Sequence, residues 1–504
     1  MNPTASRLAN LSAAKLALLL ERVKRKDDVA QIHVVPRQPG LNRFPLSLAQ
    51  QRLWLLDQLQ PGKALFNMPT AWVLEGDLDV NALQAALTEM CRRHETLRTT
   101  FAVHQGQPVQ VVNPPQSFEL PLRDLTMLPQ PSRRPEARRI AAEWMSVPFN
   151  LDQGPLLRAC ILKLNKRRHA LLIVLHHIIT DGWSFKNLFL ELSALYGAYS
   201  RAEEASLPEL EIQYGDYSVW QRERLQGKVF DQQLSYWKEQ LKGLPAFTEL
   251  PVDRPRTTVS RHRGGSLALN LTHELTNQIS ELSQREGVTV FMIVLAAFQL
   301  LLCRYSGRED ICVGSPLAGR RHRQTESLIG FFINTLVLRT NLVGNPTFRE
   351  LLARVRNTYL GAYANQDVPF ERLVAELQPD QTRGQSPFFQ VWFALQNIRR
   401  EAPTMAGLTM RPLGLGITTA QFDLAMILWE GSEQLGCCLI WDEDLFDGDT
   451  AEQIVKDYEL LLQQVTAHPE QKVFDIPFNS ASGTVGSETA RGQAPPEAHE
   501  QFLF

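Results

Sequence analysis

The chain of 504 residues lacks the features that mark several protein classes. It has six cysteines, Cys91, Cys160, Cys303, Cys312, Cys437 and Cys438, and no CxxC pair among them. That sets aside a disulfide framework and a cysteine metal site; thiols among aliphatic residues act as small hydrophobes. No apolar run approaches the roughly 20 residues that cross a bilayer. The first aliphatic run, Leu16 to Leu20, meets a basic cluster by Lys26, too soon for a secretory signal. Lys+Arg (52) and Asp+Glu (54) nearly cancel, for a formal charge of -2. Nucleic acid is therefore not an expected partner, nor is a membrane. A monomeric, cytoplasmic protein in a reducing compartment is expected.

What is present is ordinary globular composition, 44% hydrophobic and 21% charged, over a length that fits two or three domain-sized units. Leu16, Leu19, Leu20 and Val23 share one helical face, which predicts a leader helix packing on the body rather than a membrane anchor. The Pro- and Gly-bearing stretch Val35 to Ser47 reads as a linker. From Asn479 the composition turns to Ser, Gly, Pro, Ala and Glu and predicts a disordered tail, its terminal Phe502-Leu503-Phe504 either frayed or a short docking peptide. Met1 and this tail suggest a complete or engineered chain.

Between these ends, helix and strand patterns alternate. Apolar strands are expected at Leu156 to Leu164 and His169 to Leu175. Helices are expected at Val80 to Arg98, from Ser184 as N-cap to Tyr199, and from Val288 to a C-cap at Gly307. A charged, Trp-bearing helix from Lys228 could carry the chain between two halves.

The most informative stretch is LLIVLHHIITDGWSF, Leu171 to Phe185. With 11 histidines in the whole chain, two adjacent ones at the end of a strand need a reason. Neighbours on a strand face opposite ways, so one histidine should face the framework and the other a cavity. The i, i+1 spacing is poor for a single metal, and no second His or Cys cluster completes a site. What remains is histidine as a general base or as a hydrogen-bonding positioner, with Asp181 bracing the turn. Gly182 leaves bare backbone that a substrate can approach.

HHIITDGWS resembles the HHxxxDG core motif of the condensation domains of nonribosomal peptide synthetases and of the wider chloramphenicol acetyltransferase-like acyltransferases. Further stretches resemble that family's motifs in order. They are SLAQQRLWLL from Ser47, RRHETLRTTF from Arg92, YGDYSVWQ from Tyr214, LPVDRPR from Leu250, IGFFINTLVLR from Ile329 and NQDVPFERLV from Asn365. SPFFQVWFALQN and FDLAMILWE complete the series, so the resemblance covers about residues 41–478.

The resemblance implies an α/β fold of mixed sheets, a V-shaped pseudo-dimer of two acetyltransferase-like lobes with a central tunnel. It divides the chain into residues 1–40 (leader and linker), 41–225 and 226–478 (two lobes) and 479–504 (tail). It implies that the chain itself binds no cofactor. Phosphopantetheine would arrive on donor and acceptor peptidyl carrier proteins, with adenylation domains as neighbours. His177 matches the family's catalytic position, as base or as orienter of the amine; His176 is expected to be structural. Asp181 would form an internal ion pair with Arg320, or with the competing Arg321. Gly182 resembles a gate residue, with Trp183 and Ser184 beside it. Asn334 and Thr335 resemble groups that support the tunnel, with ordinary strand-end capping as the alternative.

A heterocyclizing member carries DxxxxD in place of the histidines, and this chain does not. An epimerizing member differs in the later motifs. The chain looks closest to the subtype that joins two L-configured aminoacyl units. No adenylation segment is found, and GGSLAL (Gly264 to Leu269) falls short of a carrier motif. That leaves open a free-standing acyltransferase acting on a soluble acceptor, and a non-catalytic module that only recruits carriers.

Overall fold

The computed structural model describes residues 32–35, 42–59, 61–225, 227–244, 250–256, 261–377, 387–396, 404–414, 419–431 and 433–478. The expected leader helix and C-terminal tail lie outside these residues.

Two mixed sheets carry the fold. In the first, the strand order is Thr409–Pro412, Asn67–Glu75, Arg168–His176, Leu157–Asn165, Leu122–Asp124. The strand Arg168–His176 is apolar throughout its middle because both of its faces are covered. Its odd positions, Leu171, Ile173 and Leu175, pack with Leu83 and Leu87 of helix Val80–Arg93 and with Leu188 and Leu192 of helix Gly182–Tyr199. Its even positions, Ala170 and Leu172, pack with Ala137, Ile140 and Ala141 of helix Gln130–Ser146. The edge strand Thr409–Pro412 comes from late in the chain and pairs antiparallel with Asn67–Glu75, Met410 opposite Leu74.

The second sheet runs Asn334–Asn341, Asp310–Leu317, Val391–Gln396, Leu424–Glu430, Leu435–Asp442, Gly264–Asn270. Its core is filled by helices His273–Glu286, Val290–Ser306, Phe348–Ala364 and Gly448–Ala467. Helix Val290–Ser306 starts where Thr289 Oγ1 accepts from Met292 N–H and ends at Gly307, whose φ of 66° suits glycine. Every residue from Met292 to Cys303 is buried, so this apolar helix belongs to the protein core. Among the described residues no single helix is long and apolar enough to cross a membrane. A smaller three-stranded sheet, Arg43–Pro45, Gln107–Val112 and Thr99–His104, flanks the first.

One expectation is corrected at the helix that follows the histidines. Ser184 is not its N-cap. The helix begins at Gly182, and Asp181 caps it by accepting from Ser184 N–H. A carboxylate at this position also faces the positive end of the helix dipole, and the serine hydroxyl is released for other partners.

The second sheet seats its tryptophans on glycines. Trp429 lies opposite Gly436 and Trp441 opposite Gly265. A Cβ on Gly436 would come within 2.1 Å of the Trp429 ring. Gly436→Ala should therefore destabilise the protein by about 1–3 kcal/mol in urea unfolding; an unchanged midpoint would show that the indole moves aside freely.

Candidate active site

The strand Arg168–His176 ends at the first histidine, and a short 3-10 turn, His177–Ile179, carries the second. The two rings therefore separate by a change of backbone conformation rather than by strand alternation alone. His176 lies on the even face of the strand, edge-on to Phe66 and Phe149, each 6.1 Å away between ring centres. Its Nδ1 accepts from Ile178 N–H at 3.1 Å. His177 turns the other way, and its Nδ1 lies 2.7 Å from the Thr180 carbonyl. A carbonyl can only accept, so Nδ1 carries the proton and Nε2 is left with the lone pair.

Both rings are buried, His176 at 3% and His177 at 6% exposure. Burial pushes the His176 imidazole down to about 3, helped by the neighbouring His177. Burial also lowers His177, against the opposing pull of the Thr180 hydrogen bond and of Asp181. Both rings are neutral near pH 7.

The turn is held from outside. His177 N–H donates to Phe66 O at 2.8 Å. Gln50, fully buried, donates from Nε2 to Ile178 O at 3.1 Å and to Gln110 Oε1 at 3.2 Å, and its own Oε1 accepts from Ser47 N–H. This gives a physical job to the SLAQQ stretch.

Asp181 and Arg320 form an ion pair, with Arg320 Nη2 3.1 Å from Oδ1 and both side chains 1% exposed. The carboxylate also accepts from Phe332 N–H at 3.1 Å. Arg320 donates to the Thr325 and Leu328 carbonyls and to Ser184 Oγ, and its guanidinium lies 4.1 Å from the Phe332 ring centre. Arg321, the competing choice, pairs instead with Asp367. Ser184 Oγ sits 2.7 Å from Asp181 Oδ1 and accepts from Gly330 N–H at 3.1 Å. The half-buried Trp183 donates from Nε1 to Glu326 O at 3.0 Å. Gly182 occupies the first helical turn.

Asn334 opens its strand and uses all its hydrogen-bonding capacity on backbone. Nδ2 donates to Gln366 O and Val368 O, while Oδ1 accepts from Thr335 and Phe370 N–H. It also lines a cavity of about 330 Å³ together with Trp220, Arg321, Phe331, Phe332 and Asp367. His177 is not among the lining residues. Phe331 is, and its ring lies 4.7 Å from the His177 ring at 59°.

Several residues that organise the site carry no signal in the sequence beyond lying within a motif. Tyr214 is buried, takes a hydrogen bond from Ser47 Oγ (2.9 Å) and donates to the Phe331 carbonyl at 2.5 Å. Gly330 has no room for a side chain, since a Cβ would come within 2.1 Å of the Tyr214 ring. Doubled phenylalanines after a glycine are the one local hint.

These two sheets, with a HHxxxDG turn at the end of a central strand and an ion pair behind it, define the class: a chloramphenicol acetyltransferase-like fold of the condensation type. The family model described as Condensation domain matches residues 41–482, and the chain belongs to that family. It is 45% identical over 457 residues to a component of the linear gramicidin synthase of Brevibacillus parabrevis, covering 90% of this chain and 9% of that protein. To chondramide synthase cmdD of Chondromyces crocatus it is 41% identical over 445 residues, covering 88% of this chain and 11% of the synthase. The chain thus spans about a tenth of these relatives. Among solved structures it resembles the X-domain from teicoplanin biosynthesis, with TM-score 0.80 and 28% identity, covering 89% of this chain and all of that one.

Two outcomes follow from the site's electrostatics. Asp181→Ala leaves Arg320 buried without its partner and should cost about 3–5 kcal/mol of stability in chemical unfolding; a loss below about 1 kcal/mol would show that the arginine finds water instead. His176 contributes a pH dependence. Its folded value lies below the unfolded value of 6.5, so the unfolded chain takes up its proton first as pH falls. Stability is full above pH 6.5 and declines toward pH 3, by about 2 kcal/mol from pH 7 to pH 5. His176→Asn keeps an acceptor for Ile178 N–H and has no proton to take up, so unfolding measured at the two pH values should show a flatter dependence.

Proposed function

We propose that the chain forms an amide bond between a donor acyl or peptidyl thioester and an acceptor aminoacyl thioester, both borne on phosphopantetheine arms of carrier proteins. The observation that carries the reading is the tautomer of His177. Thr180 O fixes the proton on Nδ1, leaving Nε2 as an acceptor on a ring that is neutral near pH 7. The acceptor amine, with a pKa of roughly 8, attacks the thioester carbonyl in its neutral form. The new nitrogen then carries a positive charge and gives one proton to Nε2. Collapse breaks the carbon–sulfur bond, and the proton passes to the departing thiolate of the donor arm. The products are the amide on the acceptor arm and a free donor thiol. Two tethered substrates gain most from positioning, and the base adds about 10²–10⁴ in rate.

On this reading the partners are a donor and an acceptor peptidyl carrier protein and the adenylation domains that load them. The two lobes would bound a tunnel open at both ends, and the subtype would be the one joining two L-configured units. His177 is the catalytic residue, Asp181 and Arg320 the brace behind it, and Asn334 a support of the cavity wall.

A second reading is favoured by one observation. The similar X-domain from teicoplanin biosynthesis is also described in a complex with OxyB, which fits a module that recruits partners. The two readings part on one variant. With both carriers loaded, His177→Ala should lower product formation by about 10²–10⁴ while the protein stays folded. Unchanged product yield would overturn the catalytic reading and leave the recruiting one. Replacing the acceptor carrier by a free amine tests for a soluble acceptor; full activity there would make the chain a free-standing acyltransferase.

A further inference from the structure

Among the described residues, the one hydrogen bond from the His177 ring to another residue runs from Nδ1 to Thr180 O. A ring held at one nitrogen can still tilt about that bond, so the direction of Nε2 needs a second contact. Among the described residues, the one aromatic ring against His177 is Phe331, 4.7 Å away. Phe331 is 9% exposed and lines the cavity of about 330 Å³. It thus both contacts the imidazole and lines that cavity.

The backbone around Phe331 leaves its ring little choice of place. Gly330 N–H donates to Ser184 Oγ, and Phe332 N–H donates to Asp181 Oδ2, each at 3.1 Å. Between them, the Phe331 carbonyl accepts from Tyr214 Oη, which is itself held by Ser47 Oγ. The Tyr214 ring fills the space where a side chain on residue 330 would go. The peptide groups before Gly330 and after Phe331 are thus pinned, and the carboxylate that pins one of them also caps the helix next to the histidine turn. A ring so placed can set another ring within the fraction of an ångström that positioning requires.

We infer that Phe331 is a positioning residue for His177: its ring fixes the imidazole and shuts it off from the adjoining cavity, and Tyr214 holds Phe331 in place through its backbone. The inference rests on the reading of His177 as the proton acceptor. The charged and titratable groups facing the imidazole are Asp181 across the turn, His176 on the strand, and Arg320, which balances Asp181. None of these is altered by a change at position 331.

The experiment titrates the His177 ring by NMR in the full chain labelled at histidine, with the His177→Gln spectrum assigning the signal. Removing the ring in Phe331→Ala admits water, so the midpoint should rise by about one pH unit. Phe331→Leu, which keeps an apolar wall, should recover most of that change. Tyr214→Phe, which loses only the hydroxyl, should move the midpoint in the same direction by a smaller amount. With a loaded carrier pair that the unaltered protein turns over, Phe331→Ala should lower kcat about tenfold, change KM less than about twofold, and shift the acid limb of the rate profile upward with the NMR midpoint. An unmoved midpoint in Phe331→Ala, or one that leucine does not recover, overturns the inference; if the alanine variant fails to fold, the leucine and Tyr214→Phe midpoints decide it. A midpoint that rises while the rate profile stays put supports the contact and overturns the assignment of His177 as the base, so the two failures are distinguishable.

Discussion

Two charges with 1% of their side chains exposed are the constraint from which the site follows. Taking Asp181 and Arg320 out of water costs several kcal/mol per ion, and their mutual attraction roughly returns it. An apolar pair of the same volume would serve stability as well. What the ion pair supplies is direction. The carboxylate has a fixed set of donors: Ser184 N–H and hydroxyl at the helix start, Phe332 N–H on the loop before the second sheet's strand Asn334–Asn341, and the guanidinium. Moving any one of them leaves a charge short of a partner in a dry place. The turn that carries His177 and the loop that carries Phe331 are thereby tied to the same two oxygens.

The same logic extends along the seam between the sheets. Asn187 reaches from the helix of the first half to the Glu326 and Leu328 carbonyls. Ile32 is buried against Tyr214, Tyr217, Leu328 and Phe332, and its backbone exchanges hydrogen bonds with the Gln324 side chain. Arg52 of helix Leu48–Leu59 sits 4.8 Å from the ring centre of Phe370, which belongs to the other half. Polar side chains bound to backbone carbonyls are directional, while apolar contacts slide. A seam built from both can stay in register while carrying a cavity beside it.

Much of this is legible in the residues, for physical reasons. The apolar run before the histidines has to be a strand covered on both faces, and the alternation of Leu171, Ile173 and Leu175 against Ala170 and Leu172 confirms two separate coats. Gly307 as a helix stop needs only its freedom at positive φ. The family resemblance narrows the partner of Asp181 to two adjacent arginines, and geometry separates them: Arg320 points to Asp181 and Arg321 to Asp367. The helix cap is misread from sequence because serine and aspartate are both good caps, three residues apart. Backbone conformation decides between them, and that is set by where the 3-10 turn ends. The exchange of the strand Thr409–Pro412 onto the first sheet leaves no trace in the pattern, since an edge strand of four residues has too little periodicity. Tyr214 and Phe331 escape for another reason: their work lies in contacts between residues more than a hundred positions apart.

The dryness of the histidine turn bears on what kind of base the site can hold. Burial weakens the imidazole as a proton acceptor by lowering its pKa, which at first argues against general-base chemistry. In the proposed reaction the proton to be removed sits on a nitrogen newly bonded to a carbon that bears oxygen and sulfur. Those electronegative neighbours make that nitrogen far more acidic than a free ammonium, so a weak base is sufficient. A weak base is also the better donor when the proton must next reach a departing thiolate, because its conjugate acid is the stronger acid. A stronger, solvated imidazole would be partly protonated near neutral pH and unable to start the cycle. The low-dielectric setting thus trades basicity for a ring that starts the cycle neutral, with its proton on Nδ1. Such a ring suits the proposed reaction, whose two substrates arrive already tethered.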